Sequence, residues 1–154
     1  MKLLLLLLPL WLSHSPVPVP AIELKGYFAC RASLLLPQPK QKAALACYAR
    51  TQRNCQNGTV ILAYEKLLPG SASQPLHQIA DTVQLQVTPT QYLTIARCTN
   101  VQGKATQYFV LCKADALGKK HLRYVLRVWG LNAQEQLVEV PAKTVTCLND
   151  DFGA

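Results

Sequence analysis

The chain has 154 residues, half of them hydrophobic, and its 16 Lys and Arg against 8 Asp and Glu give a formal net charge of +8. That length suits one domain, and no internal repeat or linker divides it. The basic balance favours acidic surfaces such as glycosaminoglycans, anionic lipid or nucleic acid.

The first segment reads as an export signal. Lys2 gives a positive start, and Leu3 to Leu8, followed by Pro9, Leu10, Trp11 and Leu12, form an apolar run of about ten residues, the length of a signal-peptide core. A membrane-spanning helix needs roughly 20 apolar residues, so this run is too short to be one. Repeated prolines between Ser13 and Pro20 break any helix. Val19 and Ala21 stand three and one before the expected cut, so cleavage is predicted after Ala21 or a few residues earlier. Residues 1–21 are thus the leader and residues 22–154 one secreted, extracellular domain. Only Lys2 leaves with the leader, so the basic excess falls from eight to seven (15 against 8). No later stretch is long or apolar enough for a transmembrane segment in the mature chain.

The domain then reads as a series of short strands. Ile22, Leu24, Gly26, Phe28 and Cys30 alternate on one face of a first strand. Residues 34–42 hold two prolines and read as a loop. Residues 43–49 are short and small-residue-rich, with a strand favoured. Asn57-Gly58 is a turn signal, since both residues tolerate positive φ. A strand over 59–67 follows, then a loop rich in Pro, Gly and Ser over 69–74. Residues 75–81 are expected as loop or one helical turn, with His77 a solvated side chain. Val83, Leu85 and Val87 alternate with glutamines until Pro89 interrupts. Extended segments over 92–98 and 106–113 flank a turn at Gly103. Gly118-Lys119-Lys120 is a turn, and 121–129 is expected as a strand. Residues 135–147 complete the set, with Pro141 marking an edge or a break. Seven or eight short strands and no strong amphipathic helix predict an all-β, disulfide-stapled antiparallel β-sandwich.

Six cysteines remain after cleavage: Cys30, Cys47, Cys55, Cys98, Cys112 and Cys147. An even count in an oxidising compartment predicts three disulfides, with the pairing left open. No Cys-x-x-Cys occurs, so a zinc site is not expected, and no cofactor is implied. Catalysis has little support. His77 and His121 are the imidazole bases of the mature chain, no serine sits in a Gly-x-Ser-x-Gly setting, and the carboxylates are scattered. No catalytic residue is assigned and no enzyme is expected. Asn57-Gly58-Thr59 is an N-glycosylation sequon on an expected turn. Lys119, Lys120, His121, Arg123 and Arg127 form the densest basic cluster. On a strand from 121 to 129, His121, Arg123, Arg127 and Trp129 would share one face, a candidate stripe for anionic glycans or membranes. Lys40, Lys42, Arg50 and Arg53 form a second, more diffuse basic region. Tyr64, Tyr92, Tyr108, Tyr124 and Trp129 are spaced as core or half-core residues of strands, with a ligand cage as the lesser alternative.

Three stretches resemble one family. Leu24-Lys25-Gly26-Tyr27-Phe28-Ala29-Cys30 resembles the opening of the nematode transthyretin-like proteins, where a strand passes through Gly and reaches Cys four residues later. Val60-Ile61-Leu62-Ala63-Tyr64-Glu65-Lys66 is similar to their second strand, and Tyr92-Leu93-Thr94-Ile95-Ala96-Arg97-Cys98 to their Tyr-Leu-x-Ile stretch. Two features depart from the pattern: Asp81 lacks the Gly and Phe of the expected turn, and residues 37–56 read as an insertion. The resemblance implies a secreted transthyretin-like or immunoglobulin-like sandwich, and carries over no catalytic residue. The expected function is non-enzymatic binding of an extracellular protein partner or a small hydrophobic ligand. The alternative is binding of anionic glycans or membranes through the 119–127 stripe. Nucleic acid is not expected as a partner of an exported chain.

Overall fold

A computed structural model describes residues 19–20, 25–35, 42–68 and 76–152. Most of the expected leader lies outside these residues. The ten strands form two antiparallel five-stranded sheets. The first contains β1 (Val19–Pro20), β2 (Phe28–Leu35), β3 (Ala43–Ala49), β4 (Gly58–Leu68) and β5 (Leu76–Val87), in the order β1-β5-β4-β3-β2. The second contains β6 (Gln91–Asn100), β7 (Ala105–Lys113), β8 (Val125–Leu131), β9 (Leu137–Val140) and β10 (Val145–Cys147), in the order β10-β6-β7-β8-β9. The expected all-β, disulfide-stapled sandwich is what the chain forms. Its connectivity is two consecutive meanders, β2 to β5 and β6 to β9, so each half of the chain builds one sheet. The passage between them is only Thr88 to Thr90. An immunoglobulin sandwich interleaves its strands between sheets instead.

Period-two alternation explains the core. Leu45, Cys47 and Ala49 on β3, Val60, Leu62 and Tyr64 on β4, and Leu85 and Val87 on β5 face the second sheet. Ile95, Phe109, Leu111, Trp129 and Leu137 meet them from the other side. The alternate residues of the second sheet form a smaller cluster on its outer face: Ala96, Cys98, Val110, Cys112 and Val128, joined by Leu122 and Cys147. Covering that face takes the 120–122 segment out of the sheet. Leu122 N donates to Cys147 O at 3.0 Å, and Asn149 N to Lys120 O at 2.9 Å.

Several expectations are corrected. The first strand starts later than expected, at Phe28, and runs through Leu35 into the expected loop. Residues 76–81 are not a loop or helical turn but the first half of β5, with His77 opposite Leu67. A bulge between the Tyr64–Asp81 and Glu65–Ile79 pairs shifts the register there. Ile79 consequently faces outward and Val83 inward, and the broken alternation hides the strand. The expected strand over 121–129 begins only at Val125. Tyr124 has φ 51°, a left-handed backbone that ends the ladder, and its ring is exposed rather than in the core.

Two disulfides form, not three: Cys30–Cys55 and Cys98–Cys147. Cys47 and Cys112 are buried free thiols. They cannot pair because they belong to different cores, Cys47 between the sheets and Cys112 on the outer face of the second.

Candidate functional site

The sandwich has two unlike ends. At one, the late residues of β2 and β4 meet the early residues of β7 and the turn between β8 and β9. They enclose a cleft of about 340 Å³ whose walls include Leu35, Tyr64, Gln107, Tyr108, Leu131 and Glu135. Lys104 and Asn132 also line it. Tyr64 is on the inner face of β4 and only 2% exposed. Its hydroxyl donates to Glu135 Oε1 at 3.2 Å, and Lys66 holds the other carboxylate oxygen. Glu135 takes φ 59° in the tight β8–β9 turn, which Asn132 ties by accepting from Gln134 N and Gln136 N at 2.9 Å each. The hydrogen bond from Lys66 holds the Glu135 carboxyl below its ordinary range. Burial, and then the Glu135 charge, push the Tyr64 phenol up to about 12. At neutral pH the wall thus presents a carboxylate and a neutral phenol.

Gln107 shares the inner face of β7 with Phe109 and Leu111. Its Nε2 donates across the sandwich to Ser33 Oγ at 2.6 Å, while its Oε1 is buried with no hydrogen-bond partner. A buried amide oxygen without a donor is a standing cost of about 1–3 kcal/mol. Tyr108 faces the other way and packs over Gly130; a Cβ there would sit 2.4 Å from a ring carbon. Glycine at 130 is what lets that ring pack against the backbone of β8.

The opposite end is clamped. Arg31 on β2 reaches the second sheet, donating to Thr94 Oγ1 at 2.8 Å and to Tyr92 Oη at 2.8 Å. Tyr92 in turn donates to Asp151 Oδ2 at 2.5 Å, and that bond, before any other cause, holds the Asp151 carboxyl down. The space inside is a cavity of only about 150 Å³, walled in part by Cys30, Cys47 and Cys55. Burial pushes the Cys47 thiol up to about 12 although Arg31 pulls it down, so the thiol is protonated and unreactive at neutral pH. A third hollow of about 580 Å³ lies by Thr90, Lys113, Asp115 and Leu126. Those four residues are themselves exposed, so it cannot strip water from a ligand as the cleft can.

The sequence-predicted residues are dispersed. Asn57 is exposed in the turn just before β4, accessible as a sequon requires. The basic stripe is not assembled. Lys119, Lys120, His121 and Arg123 precede β8, and His121 forms an isolated bridge with Leu148. Arg127 alone is on the strand, where Glu139 takes it in two hydrogen bonds of 2.8 and 2.6 Å and its guanidinium stacks 4.6 Å from the Trp129 ring. Of the second basic region, Arg50 stacks over Tyr27 and Lys40 lies outside the described residues. His77 is not free in solvent. Its Nδ1 meets Glu65 Oε2 at 2.9 Å, and Tyr48 donates to the other oxygen of that buried carboxylate. This arrangement satisfies Glu65, which is 2% exposed on the outer face of the first sheet.

Sequence reasoning missed Gln107 and Glu135 as functional candidates and favoured packing over a ligand cage for Tyr64 and Tyr108. Nothing local marks them: the cleft joins residues 71 and 74 apart in the chain. Among the described residues, no group of three or more His, Cys, Asp and Glu could hold a metal ion, and no helix is long and apolar enough to cross a membrane. Compared with protein-family models, curated proteins and solved structures, the chain matches none.

Proposed function

We propose that this chain is an exported, non-enzymatic binding protein that takes a small amphipathic molecule into the cleft at the open end of its sandwich. The leader-like N-terminal run and the two disulfides support export. The observation that carries the binding role is the cleft itself. Its volume falls within the usual range for small-molecule sites, and its largely polar wall, with Gln107, Asn132 and Glu135, includes the apolar side chains of Leu35 and Leu131. Those groups select the ligand. Glu135 is the exposed acceptor of the wall, so the ligand has an apolar body and a hydroxyl or amine donor. The proposal rests on this geometry and not on the transthyretin-like resemblance.

Titration of the isotope-labelled secreted protein with phenethylamine, tyramine and cyclohexanol tests this. Backbone and side-chain resonances of Tyr64, Gln107, Tyr108 and Glu135 are expected to shift together and saturably with at least one of them. Shifts confined to residues around Cys47 or Leu126, or none at these four residues up to the solubility limit, would remove the proposal.

A further inference from the structure

The longest edge strand of the first sheet is β5: β4 pairs with its inner side, and on its outer side, among the described residues, only Val19 and Pro20 pair with it, at Ile79 and Gln78. From Thr82 to Val87 the edge carries no charge, no proline and no bulge, the devices that natural edges use against pairing. The other edges are better guarded. β2 carries Arg31, β9 is four residues long with Glu139 and ends at Pro141, and β10 is three residues long and disulfide-bonded. The expected cut after Ala21 removes β1 as well, so that no other described strand pairs with the outer side of β5.

We propose that β5 is a homodimer interface, pairing antiparallel with β5 of a second copy about a two-fold axis through Leu85. Two observations select a second copy as the occupant. The first is that Val83-Gln84-Leu85-Gln86-Val87 reads the same in both directions. Antiparallel partners lie on the same face of a sheet, so the axis must pass through a residue. At Leu85 it sets Val83 opposite Val87, Gln84 opposite Gln86 and Leu85 opposite itself. Apolar residues then continue the core of each sandwich, and the exposed glutamines form an amide ladder outside. The second is that the barriers to pairing are placed symmetrically about the same point. The Asp81 bulge lies four residues before Leu85 and Pro89, which has no N–H to donate, four residues after. Asp81 is committed inward, accepting from Thr82 N at 2.9 Å and from Leu137 N at 2.6 Å. The result is a self-complementary interface of the kind closed dimers use, joining the two first sheets into one. Leu85 and Val87 are already buried at 6% and 1% exposure, so the gain is mainly backbone pairing and the dimer is of modest affinity.

Sedimentation of the secreted chain across a concentration series tests this, with N-terminal sequencing to fix its start. A dimer is expected at about 100 µM, dissociating near about 1 µM. Gln84→Lys with Gln86→Lys sets lysine against lysine at both cross-strand pairs and is expected to weaken the dimer at least about tenfold. Gln84→Lys with Gln86→Glu sets lysine against glutamate at both and is expected to restore it. Both positions are exposed, and circular dichroism checks that the sandwich persists. A monomer at the highest concentration, a dimer indifferent to the double lysine, or a charge swap that fails to rescue would each overturn the interface.

Discussion

The two ends of the sandwich are built from the same strands and differ in how their polar groups are satisfied. At the clamped end the polar groups of Arg31, Tyr92 and Asp151 are spent on other parts of the chain. Arg31 ties β2 to β6, Tyr92 ties β6 to Asp151, and Cys30–Cys55 fastens β2 to the 3-10 turn at Arg53–Cys55, between β3 and β4. At the open end Tyr64, Lys66 and Glu135 satisfy one another, but Gln107 Oε1 is left over and the cleft is more than twice as large. One end is made to hold and the other to receive. The difference comes from side-chain length as much as from topology. A guanidinium can span the sheets where Ser33 and Gln107, meeting from both sides, only just do.

The largest effect is expected from unfastening the clamped end. Replacing Cys30 and Cys55 together with Ala frees a loop of 25 residues, for a loss of about 3 kcal/mol in the chain-entropy account. Denaturant midpoints measure it. Because the bridge is remote from Tyr64 and Glu135, binding in the cleft is expected to survive at temperatures where the variant is folded. Loss of binding in the folded variant would mean that the two ends are not independent. Thiol counting sharpens the point. The native wild type is expected to resist alkylation, and the denatured wild type to release two thiols, Cys47 and Cys112, both buried and with pKa pushed up by burial, to about 12 and about 11.

A smaller loss, of about 1–3 kcal/mol, is expected from Gly130→Ala at the open end. The new methyl would meet the Tyr108 ring at 2.4 Å, and either the ring or β8 must move. Since Tyr108 adjoins Gln107 on β7, the variant is expected to change ligand-induced shifts at Gln107 and Tyr108 while leaving those around Arg31 untouched. Equal disturbance at both ends would show that the strands transmit the strain along their length.

How much of this contrast was legible beforehand depends on the range of the signal. β3, β4, β6 and β7 were readable to within one or two residues, because alternation and turn residues such as Asn57-Gly58 and Gly103 act locally. The start of β5 was not, because the bulge beside Asp81 inverts the alternation on which the reading depends. Nor was the start of β8. Leu122 looks like the next residue of an alternating strand, yet it leaves the sheet to seal the second core beside Cys147. The third disulfide failed for the same reason. Cysteine count carries no information about which face of a sheet each thiol occupies. Asn57 was legible as an exposed turn. The cleft was not, since Tyr64, Gln107 and Glu135 carry no shared motif and meet only when two meanders stack.

The smallest expected effect concerns Glu135, and its sign can be worked out. The carboxyl is held below its ordinary value in the folded chain, first by the hydrogen bond from Lys66. A depressed carboxylate adds stability that is present above its unfolded pKa and is lost as pH falls through the folded one. Glu135→Gln removes that contribution but keeps an acceptor for Tyr64. The carboxylate is about half exposed, so solvent screening limits the difference at neutral pH to no more than about 1 kcal/mol. Wild type is therefore expected to be slightly the more stable at pH 7, and the gap to close as pH falls below the ordinary carboxylate range. At the alkaline extreme the same variant has a second readout. Burial is the larger cause of the raised Tyr64 phenol and the Glu135 charge the lesser, so in the variant phenolate absorbance should appear at lower pH than in wild type but still above that of an exposed tyrosine. A gap that widens in acid, or a Tyr64 titration that does not move, would show that Glu135 shapes the open end without setting its charge.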